Sequence, residues 1–151
     1  MVECCHCSFL SKNWRPAGDD LIAICGPKSS PTIAKLLEND PLLDFSEGSD
    51  GRWGLTDRLT GVRYESPMDD PNPESSDIAY LGRLNFDRNR KLILIAGVHA
   101  IGSVGAAAYL QANITSLYDK VASENFSMVV SSRHDGAEIV ESGAACPPER
   151  H

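Results

Sequence analysis

The sequence has little positive charge and nowhere that it gathers. Fourteen Lys and Arg stand against twenty-one Asp and Glu, for a net charge of −7, and no basic cluster of five or more residues occurs in the 151. A nucleic-acid surface needs such a patch to displace counterions from phosphates, so direct DNA or RNA binding is not expected. Long apolar runs are lacking too: the longest, at 92–97, falls far short of the roughly 20 residues of a membrane-spanning helix. The opening residues Met1-Val2-Glu3-Cys4-Cys5-His6-Cys7 have neither the charged start nor the apolar stretch of about 7–15 residues of a signal peptide. A cytoplasmic protein without membrane association is predicted, and the Asn-x-Ser/Thr patterns at Asn113 and Asn125 carry no meaning without secretion.

Five cysteines make an odd count, and Cys4, Cys5 and Cys7 crowd around His6. A zinc site holds one closely spaced ligand pair and a second pair well downstream. No matching second pair follows, and Cys146 and His151 at the far end are a poor way to complete a tetrahedron. No metal and no cofactor are expected. Residues 1–19 have no periodicity and end in Arg15-Pro16-Ala17-Gly18-Asp19, so they read as a disordered or linker tail. Residues 20–145 are expected to form a single α/β domain, and residues 146–151, with Pro147 and Pro148, a C-terminal tail. With 42% hydrophobic and 23% charged residues, the composition is that of one ordinary globular core.

Within 20–145, Leu21-Ile22-Ala23-Ile24-Cys25 reads as a strand buried on both faces that stops at Gly26-Pro27. A helix follows, with Ser30 as cap, Pro31 in the first turn, and Ile33, Ala34, Leu36 and Leu37 as its apolar face. Gly48-Ser49-Asp50-Gly51 is a turn signal, and the segments from Trp53 to Arg58 and from Val62 to Glu65 read as an antiparallel hairpin. Ser66 to Ser76 is a Pro-, Asp- and Ser-rich surface loop and a candidate lid. A strand is expected at 77–84, a basic turn at 88–91 and the strongest buried-strand signal at 92–96. Two helices, around 106–110 and 114–125, come next, then two strands at 127–132 and 138–142 about the turn Asp135-Gly136. Strand, Gly-bearing turn and helix thus occur twice around an antiparallel insertion. The expected fold is a Rossmann-like layered α/β sandwich with a mixed sheet and an antiparallel hairpin insertion, and its binding crevice lies beyond the carboxyl ends of the strands.

Two turns on that edge are candidates for chemistry. In Gly26-Pro27-Lys28-Ser29-Ser30, helix N-terminal N–H groups, an ammonium and two hydroxyls suit a phosphate or carboxylate, although the Walker pattern is absent. In Gly97-Val98-His99-Ala100-Ile101-Gly102-Ser103-Val104-Gly105, the glycines let backbone approach a ligand or let the helix pack closely on the sheet. A dinucleotide fingerprint would have glycine where His99 stands, so NAD or FAD binding of the usual kind is disfavoured. His99 is a ligand contact, a structural histidine, or an acid/base. Cys25 can meet His99 across adjacent strand ends as a nucleophile pair, or be a small buried hydrophobe. Asp69, Asp70, Glu74 and Asp77 read as a solvated acidic loop rather than a cation site. Trp53, Tyr64 and Tyr80 read as sheet-face aromatics.

The segments starting Asp20-Leu-Ile-Ala-Ile-Cys-Gly-Pro-Lys-Ser-Ser-Pro, Tyr64-Glu65-Ser66-Pro67-Met68-Asp69, Asp77-Ile-Ala-Tyr-Leu-Gly-Arg and Ala96-Gly-Val-His-Ala-Ile-Gly-Ser-Val-Gly resemble an uncharacterised actinobacterial α/β domain family. Its members often follow an XRE-type helix-turn-helix in proteins taken for transcriptional regulators. The resemblance spans about residues 20–145 and implies a ligand-binding domain linked to a DNA-binding or signalling module. Residues 1–19 contain no helix-turn-helix, so such a module would be an upstream segment or a protein partner.

The expected function is a regulatory domain that binds a small anionic or nucleotide-like ligand through Gly26, Lys28, Ser29, Ser30, Gly97, His99, Gly102, Ser103 and Gly105, with Arg83 as an outlying candidate. The alternatives are an enzyme acting on a nucleotide or similar metabolite with His99 as acid/base and Cys25 as a candidate nucleophile, and a protein-interaction domain without ligand.

Overall fold

A computed structural model describes residues 20–151; the Cys4-Cys5-His6-Cys7 cluster and the predicted 1–19 tail lie outside the described residues. The chain is mixed α/β, with more strand than helix. Its order is β1 (Leu21–Ile24), α1 (Pro31–Glu38), β2 (Leu43–Glu47), β3 (Trp53–Asp57), β4 (Arg63–Glu65), a 3₁₀ turn (Pro67–Asp69), β5 (Ser76–Asn85), β6 (Lys91–Gly97), α2 (Ala100–Val121), β7 (Phe126–Asp135) and β8 (Glu138–Arg150). Five strands form one sheet in the order β1-β6-β5-β7-β8, and β2-β3-β4 form a second. Among the described residues only β1 and β6 run parallel; β5 with β6, β5 with β7, β7 with β8, and both pairings of the small sheet are antiparallel. The long crossover that a parallel pair requires is supplied between β1 and β6 by α1, the small sheet and β5.

Period-two alternation sorts the side chains of the large sheet onto two faces. Ile78, Tyr80, Leu84, Leu92, Leu94 and Ala96 join Ile33 and Leu37 of α1 and Leu43, Phe45 and Leu55 of the small sheet. Ala79, Leu81, Ile93, Ile95, Met128 and Val130 pack instead with Ala106, Leu117 and Val121 of α2. The large sheet is therefore a middle layer, with α2 on one face and α1 and the small sheet on the other.

α1 begins as expected. Pro31 takes the first helical position and the Ser30 hydroxyl accepts from Ile33 N–H at 3.3 Å, satisfying one of the free N-terminal donors. The hairpin turn forms at Leu59-Thr60-Gly61, where Gly61 has φ +74°, a left-handed conformation that glycine adopts without penalty.

Three expectations are corrected. β2 was not foreseen; it pairs with β3 through the Gly48–Gly51 turn. The two expected helices are one, Ala100–Val121. Asn113, where they were divided, donates its amide to Tyr109 O at 2.9 Å within the helix, and its weak propensity costs only a fraction of a kcal/mol. The 146–151 segment is not a tail: Val129 pairs with Cys146, Ser127 with Glu149 and Phe126 with Arg150. The register advances two residues on β7 and three on β8 between Glu149 and Cys146, so Pro147 and Pro148 sit in a bulge of an edge strand, where a missing N–H breaks no ladder bond.

This strand buries Cys146, and burial pushes its thiol pKa up, leaving less thiolate for reaction. Iodoacetamide labelling at pH 8, read by peptide mapping, should modify Cys146 about tenfold more slowly than glutathione in the folded protein. The two rates should be equal in denaturant. Equal rates in the folded protein would mean that the segment is a free tail.

Candidate functional site

The parallel pairing of β1 and β6 brings their carboxyl ends together. Cys25 N–H donates to Ile95 O at 3.0 Å just beyond β1, and a Cβ added at Gly26 would lie 3.4 Å from Gly97 O. The two Gly-bearing turns are thus neighbours on one sheet edge, with α1 and α2 starting from them.

The first turn of α2 is capped by a residue from another strand. His99 is the N-cap residue, extended at φ −118° and ψ 171°, and its own side chain caps nothing. Oδ2 of Asp77, at the start of β5, accepts from His99 N–H at 3.1 Å and Gly102 N–H at 2.9 Å. These are two of the donors that a helix start leaves unsatisfied, and a carboxylate is favoured there by the helix dipole. The Asp77 side chain is completely buried, and its Oδ1 lies 3.2 Å from His99 Nδ1.

The other ring nitrogen faces a second acid. His99 Nε2 lies 3.1 Å from Asp69 Oδ1, with the His99 and Asp69 side chains 31% and 29% exposed. A neutral imidazole can donate to only one of the two carboxylates, whereas the imidazolium donates to both. Asp69 closes the 3₁₀ turn that opens the 66–76 loop, capped by the buried Ser66 hydroxyl, which accepts from Met68 N–H at 3.3 Å. Next to it, Asp70 pairs with Arg52 at 2.6 Å, and Arg52 also reaches Glu65 at 3.2 Å and Ser66 O at 3.3 Å. The hydrogen bond to Asp70 raises the Arg52 pKa further. One guanidinium therefore ties the loop to the small sheet.

The predicted residues divide into three groups. Gly26, Gly97, His99 and Ser103 meet at the edge, and the Ser103 hydroxyl accepts from Gly97 N–H at 2.9 Å. Lys28 and Ser29 are exposed on the neighbouring turn, with the Lys28 ammonium 5.6 Å from the centre of the Trp53 ring, while Ser30 is buried as the cap of α1. Gly102, Gly105 and Arg83 serve the fold instead. A Cβ at Gly102 would strike the Asp77 carboxylate and come within 2.6 Å of Ile78 O, and one at Gly105 would strike Ser132 of β7. Both glycines let α2 lie against the sheet. Arg83 sits at the opposite end of α2, where it donates to Ala122 O at 2.6 Å and to Glu124 O at 2.8 Å.

The Cys25–His99 pair is also corrected. The Cys25 thiol is buried in the core on the α1 face and lies 3.7 Å from Gly26 O, while both His99 nitrogens face carboxylates. Asp69 and Asp77, read from sequence as a solvated acidic loop, are the partners that the sequence reading missed.

If Gly102 serves packing, Gly102→Ala should destabilise the protein by about 1–3 kcal/mol in urea unfolding, because fixed backbone blocks the new methyl. A glycine kept for ligand approach would instead give a gain of about 0.4–1 kcal/mol on the same change. A gain would sink the packing role. Compared with protein-family models, curated proteins and solved structures, the chain matches none of them.

Proposed function

We propose that this chain is a regulatory small-molecule-binding domain in which an anionic ligand competes with Asp69 for Nε2 of His99. The observation that carries the reading is the asymmetry of the two acids: Asp77 is completely buried and holds Nδ1, whereas Asp69 is partly exposed on a loop and holds Nε2. A carboxylate or phosphate oxygen arriving at the edge can replace the second without disturbing the first. It would meet the first turn of α2, where Asp77 takes up the N–H groups of His99 and Gly102 but not those of Ala100 and Ile101.

The position agrees with a Rossmann-like reading of the β1–α1 and β6–α2 units, in which ligands sit beyond the carboxyl ends of parallel strands. Gly26, Lys28 and Ser29 border the same edge. Release of Asp69 would reach Arg52 through Asp70, and the small sheet through Arg52, which offers a route to a protein partner or a transcriptional or signalling module. The setting is cytoplasmic in this reading; among the described residues no helix is long and apolar enough to cross a membrane.

A second reading makes the same histidine an acid/base on a nucleotide or similar metabolite. It is favoured by the Asp77–His99 hydrogen bond, since a carboxylate on Nδ1 fixes the ring's orientation and leaves Nε2 to exchange a proton.

A thermal-shift screen against nucleotides, cyclic dinucleotides and sugar phosphates separates these readings. A ligand at a hundredfold excess over its Kd adds about 2.7 kcal/mol of stability. The shift should vanish in His99→Ala and grow in Asp69→Ala, which removes the internal competitor. A ligand that is consumed, with turnover lost in His99→Ala, would favour the enzyme. No shift in any variant would reject both and favour an interaction domain.

A further inference from the structure

A second polar network lies at the other end of the sheet, around Asp40 in the α1–β2 turn. Asp40 is 2% exposed, and its carboxylate meets only donors. Oδ1 accepts from Leu42 N–H at 2.8 Å and Leu43 N–H at 2.9 Å, and Oδ2 from the Tyr80 hydroxyl at 2.7 Å and the Ser127 hydroxyl at 2.5 Å. Ser127 therefore has its one proton committed to Asp40. Its oxygen also lies 2.9 Å from His151 Nε2, and with that proton spent it can only accept there. Nε2 of His151 must carry hydrogen, and in an imidazole protonated only there Nδ1 is an acceptor.

Beside this histidine is a groove of about 270 Å³ lined by Leu36, Asn39, Pro41, Leu84, Asn85, Asn125 and His151. The orientations of its amides are fixed as well. Lys91 Nζ, which can only donate, lies 2.8 Å from Asn85 Oδ1 and 2.7 Å from Asn125 Oδ1, so both residues keep their N–H₂ groups for another acceptor. Asn39 does the reverse: its N–H₂ donates to Lys35 O at 3.1 Å, which keeps its oxygen as an acceptor. The groove thus offers two amide donors, two acceptors and the apolar surface of Leu36, Pro41 and Leu84, and none of these lining side chains is a carboxylate.

We propose that this groove is a binding site for an uncharged planar heterocycle with an imide or lactam edge, such as a pyrimidine-dione base. Its carbonyl oxygens accept from Asn85 and Asn125, its N–H donates to His151 Nδ1, and its flat face rests on Leu84 and Pro41. Nothing in this assignment depends on the His99 edge. The buried Asp40–Ser127 pair acts as a positioning device, setting the His151 tautomer that lets an N–H donor be recognised.

The test is a titration of uracil into the ¹⁵N-labelled full chain, followed on the side-chain amide signals of Asn85 and Asn125 and the imidazole nitrogens of His151. Saturable shifts are expected at these groups, and 1,3-dimethyluracil, which has no ring N–H, should bind roughly three- to tenfold more weakly, the value of one neutral hydrogen bond. Asn85→Ala and His151→Ala, both at exposed positions, should weaken uracil by a similar factor without lowering Tm. Absence of shifts into the millimolar range would overturn the proposal. So would equal binding of the methylated compound, or saturable binding of glucose in place of uracil, which would mark a carbohydrate site.

Discussion

The arrangement at the His99 edge of the sheet depends on one buried carboxylate. Asp77 has no exposed side-chain surface, and an ionised group in that position loses its hydration at a cost of several kcal/mol unless other donors replace water. The start of a 22-residue helix supplies them, with two backbone N–H groups and the positive end of the helix dipole. A single acid on β5 therefore fixes where α2 starts and sets the His99 ring. The glycine at position 102 follows from the same contact, since any side chain there would occupy the space of the carboxylate. An ordinary N-cap serine at position 99 would cap the helix locally but would not bind it to β5.

Asp40 plays a matching part at the far end of the sheet. Its four donors come from the α1–β2 turn, β5 and β7, so it links the α1 layer to the middle of the large sheet through side chains alone. Burial, and then the neighbouring carboxylate, hold the Tyr80 phenol well above its usual pKa, which keeps it a neutral donor. Each acid takes two donors from groups distant in sequence, Asp77 from α2 and Asp40 from β5 and β7, so each holds layers together that apolar packing would leave free to slide. Hydrophobic contact is non-directional, whereas a carboxylate with four donors has one fitting position.

Local signals in the chain were legible where local chemistry decides structure. Leu21-Ile22-Ala23-Ile24 before Gly26-Pro27, and Ser30-Pro31 before an apolar face, mark β1 and α1 because the strand run, cap and first-turn proline are all short-range features. The alternation Leu43-Asp44-Phe45-Ser46-Glu47 is an equally local strand signal, only five residues long, with its inward residues Leu43 and Phe45 buried and its outward ones not. The continuation of β8 past Pro147 was hidden by a rule that holds only for central strands. The spacing of Gly97, Gly102 and Gly105 does not by itself separate ligand approach from close packing on Asp77 and Ser132. The site was least legible at its acids. An aspartate at the end of a Pro- and Asp-rich loop has the composition of a solvated residue, and only the register of β5 against β6, with Ala79 opposite Gly97, carries Asp77 beneath α2.

The two acids around His99 also show how much of this helix end the protein itself occupies. The pattern of strand, glycine turn and helix creates a place for negative charge, and the protein fills the inner half of it with Asp77 permanently. What is left outside is one imidazole nitrogen facing one partly exposed carboxylate, a pair whose attraction in water-accessible surroundings is worth only about 0–1 kcal/mol. A ligand bringing a phosphate and several further hydrogen bonds needs little selectivity to displace such a partner. The outer contact is thus the one that an arriving anion could replace, and the buried inner one holds the histidine ring whether or not the outer one is made.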